Sequence, residues 1–467
     1  MTCILPPVII GTGPAGLACA AALLEAGLRP IVLDESLRPG GQGTRRLSAA
    51  MAPHVRTFMG RRAARHTVAR EAVEDGVLAA CDWRPGSLVW GVFANQLEIL
   101  REGAHESLRY DQLMIATGAT DSILAIPGWE LPGVFSLGGA QVALKQHSSF
   151  IGRRVVLAGA SPLLYLAAAQ YLRMGARDVT IVDTAPPAAK WRAAIGMALS
   201  SPATSLEGLG LLLELARHKV RRIKGARLVR AVGLNRLEAI EIRHRGGNLE
   251  TIDCDALAFG YGLRPETQLA ELAGARFRFD AALRNWFPVI DRDGCAGDGL
   301  WLAGDGALTG GRLAAALSGR LAALSMIEKR QNHVARQPSS GREAARLRRK
   351  VGRLRQFQAH LAIAFPMPED AASTLPDDAI VCRCERITAG EVRAAVAAVA
   401  GPVEINRVKA VTRCGMGRCQ GRFCGPTLQE LTAATCGASL ADVGRLRAQA
   451  PVRPIPVASA VVDGTEG

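Results

Sequence analysis

This 467-residue sequence predicts an α/β fold of two nested Rossmann-like units followed by a small cysteine-rich domain. Three observations predict it: Gly11-x-Gly13-x-x-Gly16 between an apolar run and an Ala-rich run, a second strand-loop-helix pattern from Arg153, and six of the eleven cysteines falling after residue 381. A dinucleotide loop and a set of thiolates on one chain point to electron transfer.

Taken in order, Pro7 to Ile10 reads as a buried strand, Gly16 to Glu25 as a helix and Pro30 to Leu33 as a second strand ending in Asp34. The second unit runs from the strand Val155 to Ala158 through Gly159-Ala160-Ser161-Pro162 and an apolar helix to Arg173, then to the strand Val179 to Val182, which ends in Asp183. Strands running into turns at Thr117-Gly118 and Gly304-Asp305 belong to the first domain. It is expected to be discontinuous, 1–120 plus 266–330, with 121–265 inserted as a second nucleotide-binding domain. A small-residue helix follows Ala307 as far as Lys329. Residues 331–378 read as a basic helical linker: Gln337 to Gly341 loop-like, Arg342 to Ala364 helical, and Phe365-Pro366-Met367-Pro368 as its stop. The cysteine domain spans 379–436 with one helix, Ala389 to Ala400, and 437–467 reads as a tail.

Composition is that of a globular protein, 49% hydrophobic and 21% charged. The net charge of +15 comes almost wholly from arginine, lysine supplying seven of the 57 cations. Those arginines are scattered and only 4% of residues are aromatic, which argues against a nucleic-acid surface and for solvated basic faces with a docking area for an acidic partner. No apolar run reaches the roughly 18 residues of a membrane span. The first residues enter a strand at once, leaving no room for a cleavable signal, so a cytoplasmic location is expected. An odd cysteine count clustered at one end speaks against a disulfide framework and for a metal site in a reducing compartment.

At the first loop each glycine has a distinct task. Gly11 permits the turn, Gly13 lets backbone approach a pyrophosphate, and Gly16 lets helix and strand pack, while the helix N-terminus, opened by Pro14 and Ala15, favours the phosphate charge. Asp34, with Glu35 beside it, stands where an acid hydrogen-bonds a ribose 2'-hydroxyl. Pro39-Gly40-Gly41-Gln42, with Arg45 just beyond, can pass beneath an isoalloxazine ring, and Asp305 can accept from a ribityl chain. Together with Thr117-Gly118 and Gly304-Asp305, these features resemble the glutathione-reductase-like flavoproteins, the pyridine nucleotide-disulfide oxidoreductase superfamily. The resemblance implies FAD, and a second unit that binds NAD(P)H.

That second unit departs from the pattern. Its loop reads GASPLL, so Ser161 stands where a glycine would admit pyrophosphate and Leu164 where a glycine would let the helix close on the strand. Gly159 and Asp183 are its candidate contacts, and Asp183 opposes a 2'-phosphate, favouring NAD over NADP if either binds; an adenine nucleotide or an empty pocket is the alternative. Disulfide reductases also need two redox cysteines beside the flavin. Cys3, Cys19, Cys81, Cys254 and Cys295 stand apart in sequence and read as small buried hydrophobes, which excludes that chemistry.

In the last domain, Cys382-x-Cys384 is followed by Cys414, Cys419 and Cys424, with Cys436 beyond. Four soft thiolates suit tetrahedral zinc or a 2Fe-2S cluster, and the C-x-C spacing is unlike the paired knuckles of zinc ribbons. The runs Val381 to Glu385 and Gly415 to Cys424 resemble the bacterioferredoxin-associated-ferredoxin-like 2Fe-2S domain. That resemblance implies Cys382, Cys384, Cys419 and Cys424 as ligands, with Cys414 competing for the fourth place.

Across the chain, Gly40-Gly41-Gln42, Pro127 to Val134, Gly139-Ala140-Gln141, Tyr261 to Pro265 and Leu302 to Ala307, together with the cysteine run, resemble the larger, non-catalytic subunit of multisubunit amine or amino-acid dehydrogenases. That group includes octopine and nopaline oxidases, D-hydroxyproline and L-proline dehydrogenases and hydrogen cyanide synthase. The resemblance implies a hetero-oligomer in which a D-amino-acid-oxidase-like subunit oxidises an amine, opine or imino acid, sometimes with a small ferredoxin-like subunit. This chain would relay electrons through flavin and cluster; some relatives place an FMN at the subunit interface or an adenine nucleotide in this subunit. The isolated histidines offer no general base. Two other functions compete: a self-sufficient NAD(P)H-dependent reductase using its own cluster, and a nucleotide-bound scaffold subunit.

Overall fold

The structure, a computed structural model, describes residues 5–331, 340–456 and 460–461. The loop expected at 337–341 and the end of the expected tail fall largely outside them.

Fully apolar strands need cover on both faces, and a parallel sheet between helices supplies it. Val8–Ile10 pairs with Ile31–Asp34 on one side and Leu113–Ile115 on the other. The complete six-stranded order is Cys295–Gly297, Leu300–Leu302, Leu113–Ile115, Val8–Ile10, Ile31–Asp34, Asp82–Pro85. Leu300–Leu302 lies parallel to Leu113–Ile115, so a strand from far downstream completes the first sheet, as a discontinuous domain requires. Helices Pro14–Glu25 and Gly311–Gln331 cover one face at very close approach: a Cβ on Gly319 would lie 2.0 Å from the Ala15 carbonyl oxygen.

Two short strands, Ala119–Asp121 and Leu263–Pro265, carry the chain out to the insertion and back, and they pair antiparallel with Asp121 opposite Leu263. Inside the insertion a second parallel sheet runs Arg221–Lys224, Asp178–Asp183, Arg154–Gly159, Ala256–Gly260, Val134–Ser136. Helices Pro187–Ser200 and Pro202–Arg217, which the sequence patterns did not single out, stand on its flank.

The basic linker is a packed strut. Its helix spans Ser340–Ala364, and it is pinned by Arg320 on Glu343 and by Arg348 on Asp293. The cysteine domain adds helices Ala389–Ala398, Ile405–Thr412 and Gly425–Cys436. Its apolar residues Cys382, Val392 and Leu428 share one core with Ile123, Leu124 and Trp129 of the insertion. The segment read as a tail does not hang free: Val452 N–H donates to Trp90 O (2.9 Å), Arg445 pairs with Glu271 (2.5 Å), and Ala460–Val461 lies parallel to Ala104–Arg109.

Candidate flavin and iron-sulfur sites

The first loop is shaped by three glycines under different constraints. Gly11 has φ +102°, and a Cβ there would lie 2.5 Å from the Ala116 oxygen; one on Gly16 would lie 1.8 Å from the Gly11 oxygen. A Cβ on Gly13 meets nothing within 4 Å. Two glycines therefore serve protein packing, while the third faces open space at the start of the Pro14–Glu25 helix, where N–H groups lack side-chain caps and favour an anion. Ala15 sits under Gly304, whose φ is +72°. The Gly40-Gly41 turn closes over the loop, with Gly40 N–H donating to Thr12 O (2.9 Å) and a Gly41 Cβ position 3.1 Å from Gly13 Cα; Gln42 in that turn is exposed.

Asp34 holds the loop together. It accepts from Thr12 N–H (2.6 Å), the Thr12 hydroxyl (2.6 Å) and Ser36 N–H (2.8 Å). Glu35 is exposed and meets Arg453 (3.2 Å). Arg45 is half-buried with its Nε lacking a partner, and desolvation lowers its pKa against the pull of Asp34 and Glu35. An unused guanidinium donor and the open face of Gly13 fit the pyrophosphate and ribose of an FAD. On the far side, Thr117 hydroxyl donates to Glu266 O (2.8 Å) and Glu266 N–H donates to Gly118 O (2.9 Å). Asp305 accepts from Gly310 and Gly311 N–H groups, yet burial still raises its pKa.

The second loop keeps only its first glycine. Gly159 has φ +121° with its Cβ position 2.0 Å from Gly260 O. The Ser161 hydroxyl accepts from Leu163 N–H (3.2 Å), and Leu164 is fully buried. Asp183 is buried, and its carboxylate is taken by the Tyr165 hydroxyl and the Lys190 ammonium, with Ala185 N–H donating to its other oxygen (3.0 Å). Lys190 in turn lies over the Phe365 ring (4.8 Å) from the stop of the linker helix.

All five clustered cysteines meet. The sulfurs of Cys382, Cys414 and Cys424 lie within 4.8 Å of one another, and Cys384 and Cys419 form a neighbouring pair that Cys419 joins to Cys424. Hydrogen bonds from Cys414 and Cys424 pull Cys382 down to about 2, and a bond from Cys424 pulls Cys419 to about 5. Burial pushes Cys384 up, and the protons they donate push Cys414 and Cys424 up, so two of the five thiols ionise readily and the others hold their protons. A cavity of 460 Å³ is lined by Cys382, Cys384, Cys419 and Cys424, with Trp129, Phe423 and Arg383 at its walls; Cys414 lies behind it, fully buried. The donor set, soft and partly ionised, fits a 2Fe-2S cluster. Arg383 stacks on Trp129 (4.4 Å), whose Nε1–H donates to Ile380 O (2.6 Å), so the insertion braces the C-x-C turn.

The sequence reading missed what joins the two sites. Glu266, next to the Thr117-Gly118 turn, forms an ion pair with Arg422 (2.6 Å) inside the loop between Cys419 and Cys424. Arg264, two residues earlier, reaches the same loop. The signal was present in Tyr261-Gly262-Leu263-Arg264-Pro265, but nothing in the sequence places an arginine at a domain crossing against a loop so distant along the chain.

Residues 6–323 match the pyridine nucleotide-disulphide oxidoreductase family. The chain belongs to this family. Residues 380–434 match the BFD-like 2Fe-2S binding domain, so this oxidoreductase joins a flavin-binding family fold to an iron-sulfur module, as the motifs implied. Among curated family relatives, the A subunit of opine oxidase from Agrobacterium tumefaciens (strain Ach5) is 35% identical, covering 96% of this chain and 90% of that protein. The HcnB subunit of hydrogen cyanide synthase from Pseudomonas aeruginosa is 33% identical over 99% of each. The fold is shared with L-proline dehydrogenase from P. horikoshii, at TM-score 0.68 and 18% identity, covering 97% of this chain and 78% of that one. Among the described residues no helix of this family member is long and apolar enough to cross a membrane.

Proposed function

We propose that this chain is the electron-relaying subunit of a multisubunit flavin-dependent dehydrogenase whose partner, of the D-amino-acid-oxidase-like class, oxidises an amine, opine or imino acid. Bound FAD and a 2Fe-2S centre would supply two-electron acceptance and one-electron release. The observation that carries the reading is the Glu266–Arg422 pair, which ties the turn on the flavin side to the loop holding two of the cluster cysteines. Gly13, Arg45 and Asp305 would hold the FAD, with Cys382, Cys384, Cys419 and Cys424 holding the cluster. Asp183, already engaged by Tyr165 and Lys190, argues that NAD(P)H is not the electron source.

The partner's place is suggested by an exposed apolar surface. Trp191, Ile195 and Leu199 stand four apart on one helix, and Leu206, Leu209 and Leu213 form a stripe on the next; all six are more than half exposed. Trp191, Leu206 and Leu209 line the same cleft, about 2860 Å³, that reaches Asp305. A protein surface can fill a concave cleft, whereas a bilayer is flat. Helix Pro202–Arg217 also exposes Glu207 beside Leu206, a charge that an anionic bilayer would repel.

The test is anaerobic. With the partner subunit present, an amino-acid or opine substrate should bleach the flavin and then reduce the cluster, while NADH added to the isolated chain should do neither. Rapid bleaching by NADH alone would favour a self-sufficient reductase. Cofactor extraction from the assembled complex decides whether an FMN is shared between subunits. Trp191→Glu with Leu206→Glu should abolish co-purification with the partner while leaving this chain's visible spectrum intact.

A further inference from the structure

We propose that Arg264 sets the reduction potential of the 2Fe-2S centre, holding it higher than the cysteine ligands alone would. The inference rests on the cluster assignment made above and adds a residue outside the cysteine domain. Arg264 lies on Leu263–Pro265, the strand returning from the insertion, and it also lines the cleft that reaches Asp305. Its Nη1 points at the carbonyls of Gly421 (3.5 Å) and Arg422 (3.4 Å), between Cys419 and Cys424, and a Cβ on Gly425 would lie 3.0 Å from it.

Its charge is not neutralised by an ion pair. The nearest acidic residue along the chain, Glu266 just past the strand, is committed to Arg422 through two contacts, and among the described residues Arg264 forms no ion pair. The guanidinium is buried deeply enough at this junction for desolvation to lower its pKa, so its charge on the cluster loop is screened less than that of a surface arginine. Arg383 and Arg418 approach the cavity from the exposed side, where water screens them. Reduction adds an electron to a cluster already made anionic by its thiolates and sulfides. A fixed cation close by stabilises the reduced form more than the oxidised one, which raises the potential.

The test is a potentiometric titration followed by the EPR signal of the reduced cluster, with iron and sulfide quantified in each variant. Arg264→Gln keeps a hydrogen-bond donor but loses the charge, and its midpoint should fall. Arg264→Lys keeps the charge but loses the planar fork, and should stay near the wild-type value; Arg383→Gln should shift far less than Arg264→Gln. An Arg264→Gln protein with full cluster and unchanged potential overturns the proposal, as does an Arg264→Lys shift equal to that of Arg264→Gln. If Arg264→Gln fails to assemble, the isosteric Arg264→Met is titrated instead, and an unchanged potential in a fully loaded Arg264→Met protein overturns the proposal. A wild-type chain that assembles no cluster would defeat the cluster assignment itself, a result distinguishable from either.

Discussion

Lys190 closes on the carboxylate of Asp183 at the end of strand Asp178–Asp183 in the insertion, and the Tyr165 hydroxyl shares the same oxygen. In a working dinucleotide site that carboxylate would face a ribose hydroxyl. Here it is already neutralised.

The first expectation follows directly. Calorimetric titration of the isolated chain with NADH, NADPH or ATP should show no binding at the second unit tighter than about 1 mM. A competition that Lys190→Ala strengthens would show that the pair is a gate rather than a fixed plug.

Two glycines of one motif should behave differently. Gly16→Ala places a methyl 1.8 Å from a backbone oxygen and should cost about 2–3 kcal/mol of stability, read by denaturant unfolding. Gly13→Val enters open space, so the chain should fold normally by circular dichroism yet purify without FAD. Equal flavin content in Gly13→Val and wild type would count against the assignment of that space to pyrophosphate.

The cysteines can be separated by colour. Cys414 lies behind the cavity that the other four line, so Cys414→Ala should keep the visible cluster absorption while Cys424→Ala loses it. The opposite pattern would move Cys414 into the ligand set.

Lys145 is 7% exposed, and burial together with repulsion from Arg45 pulls it down to about 8. Because its folded pKa lies below the ordinary 10.5, the charged form is penalised in the native state at every pH below about 8. That penalty fades as pH rises from 8 toward 10.5, where the unfolded chain also loses the proton. Lys145→Met should therefore stabilise the flavin-free chain at pH 7, on the order of 3 kcal/mol at most, with the advantage shrinking above pH 8. An advantage independent of pH would mean that packing, not charge, explains it.

Much of the fold was legible because its signals are local. Val8–Ile10 and Ile31–Asp34 are short apolar runs bounded by glycine and acid, and the structure forms them within a residue of where the pattern put them. The Ala389–Ala398 helix announces itself with Thr388 and Glu391, which form a capping box. What stayed hidden depends on distant partners. Asp34, expected at a ribose, also braces Thr12 and Ser36, a second task that its place at a strand end does not announce. The helices Pro187–Ser200 and Pro202–Arg217 escaped notice since their apolar residues face outward and mimic no core pattern. Arg264 and the wrapping of residues 437–456 could be found only in three dimensions.

The crossing strands Ala119–Asp121 and Leu263–Pro265 are the natural axis on which an inserted domain would swing. The iron-sulfur module and the segment after it grip both sides of that axis: Thr427 and Ile380 bond to Ala125 and Trp129 of the insertion, while Arg422 and Glu430 of the module and Arg445 beyond it clasp Glu266, Arg284 and Glu271 of the flavin domain. A swing would have to break all of these contacts at once. The chain is thus built as a soldered circuit board, with fixed spacing between its terminals.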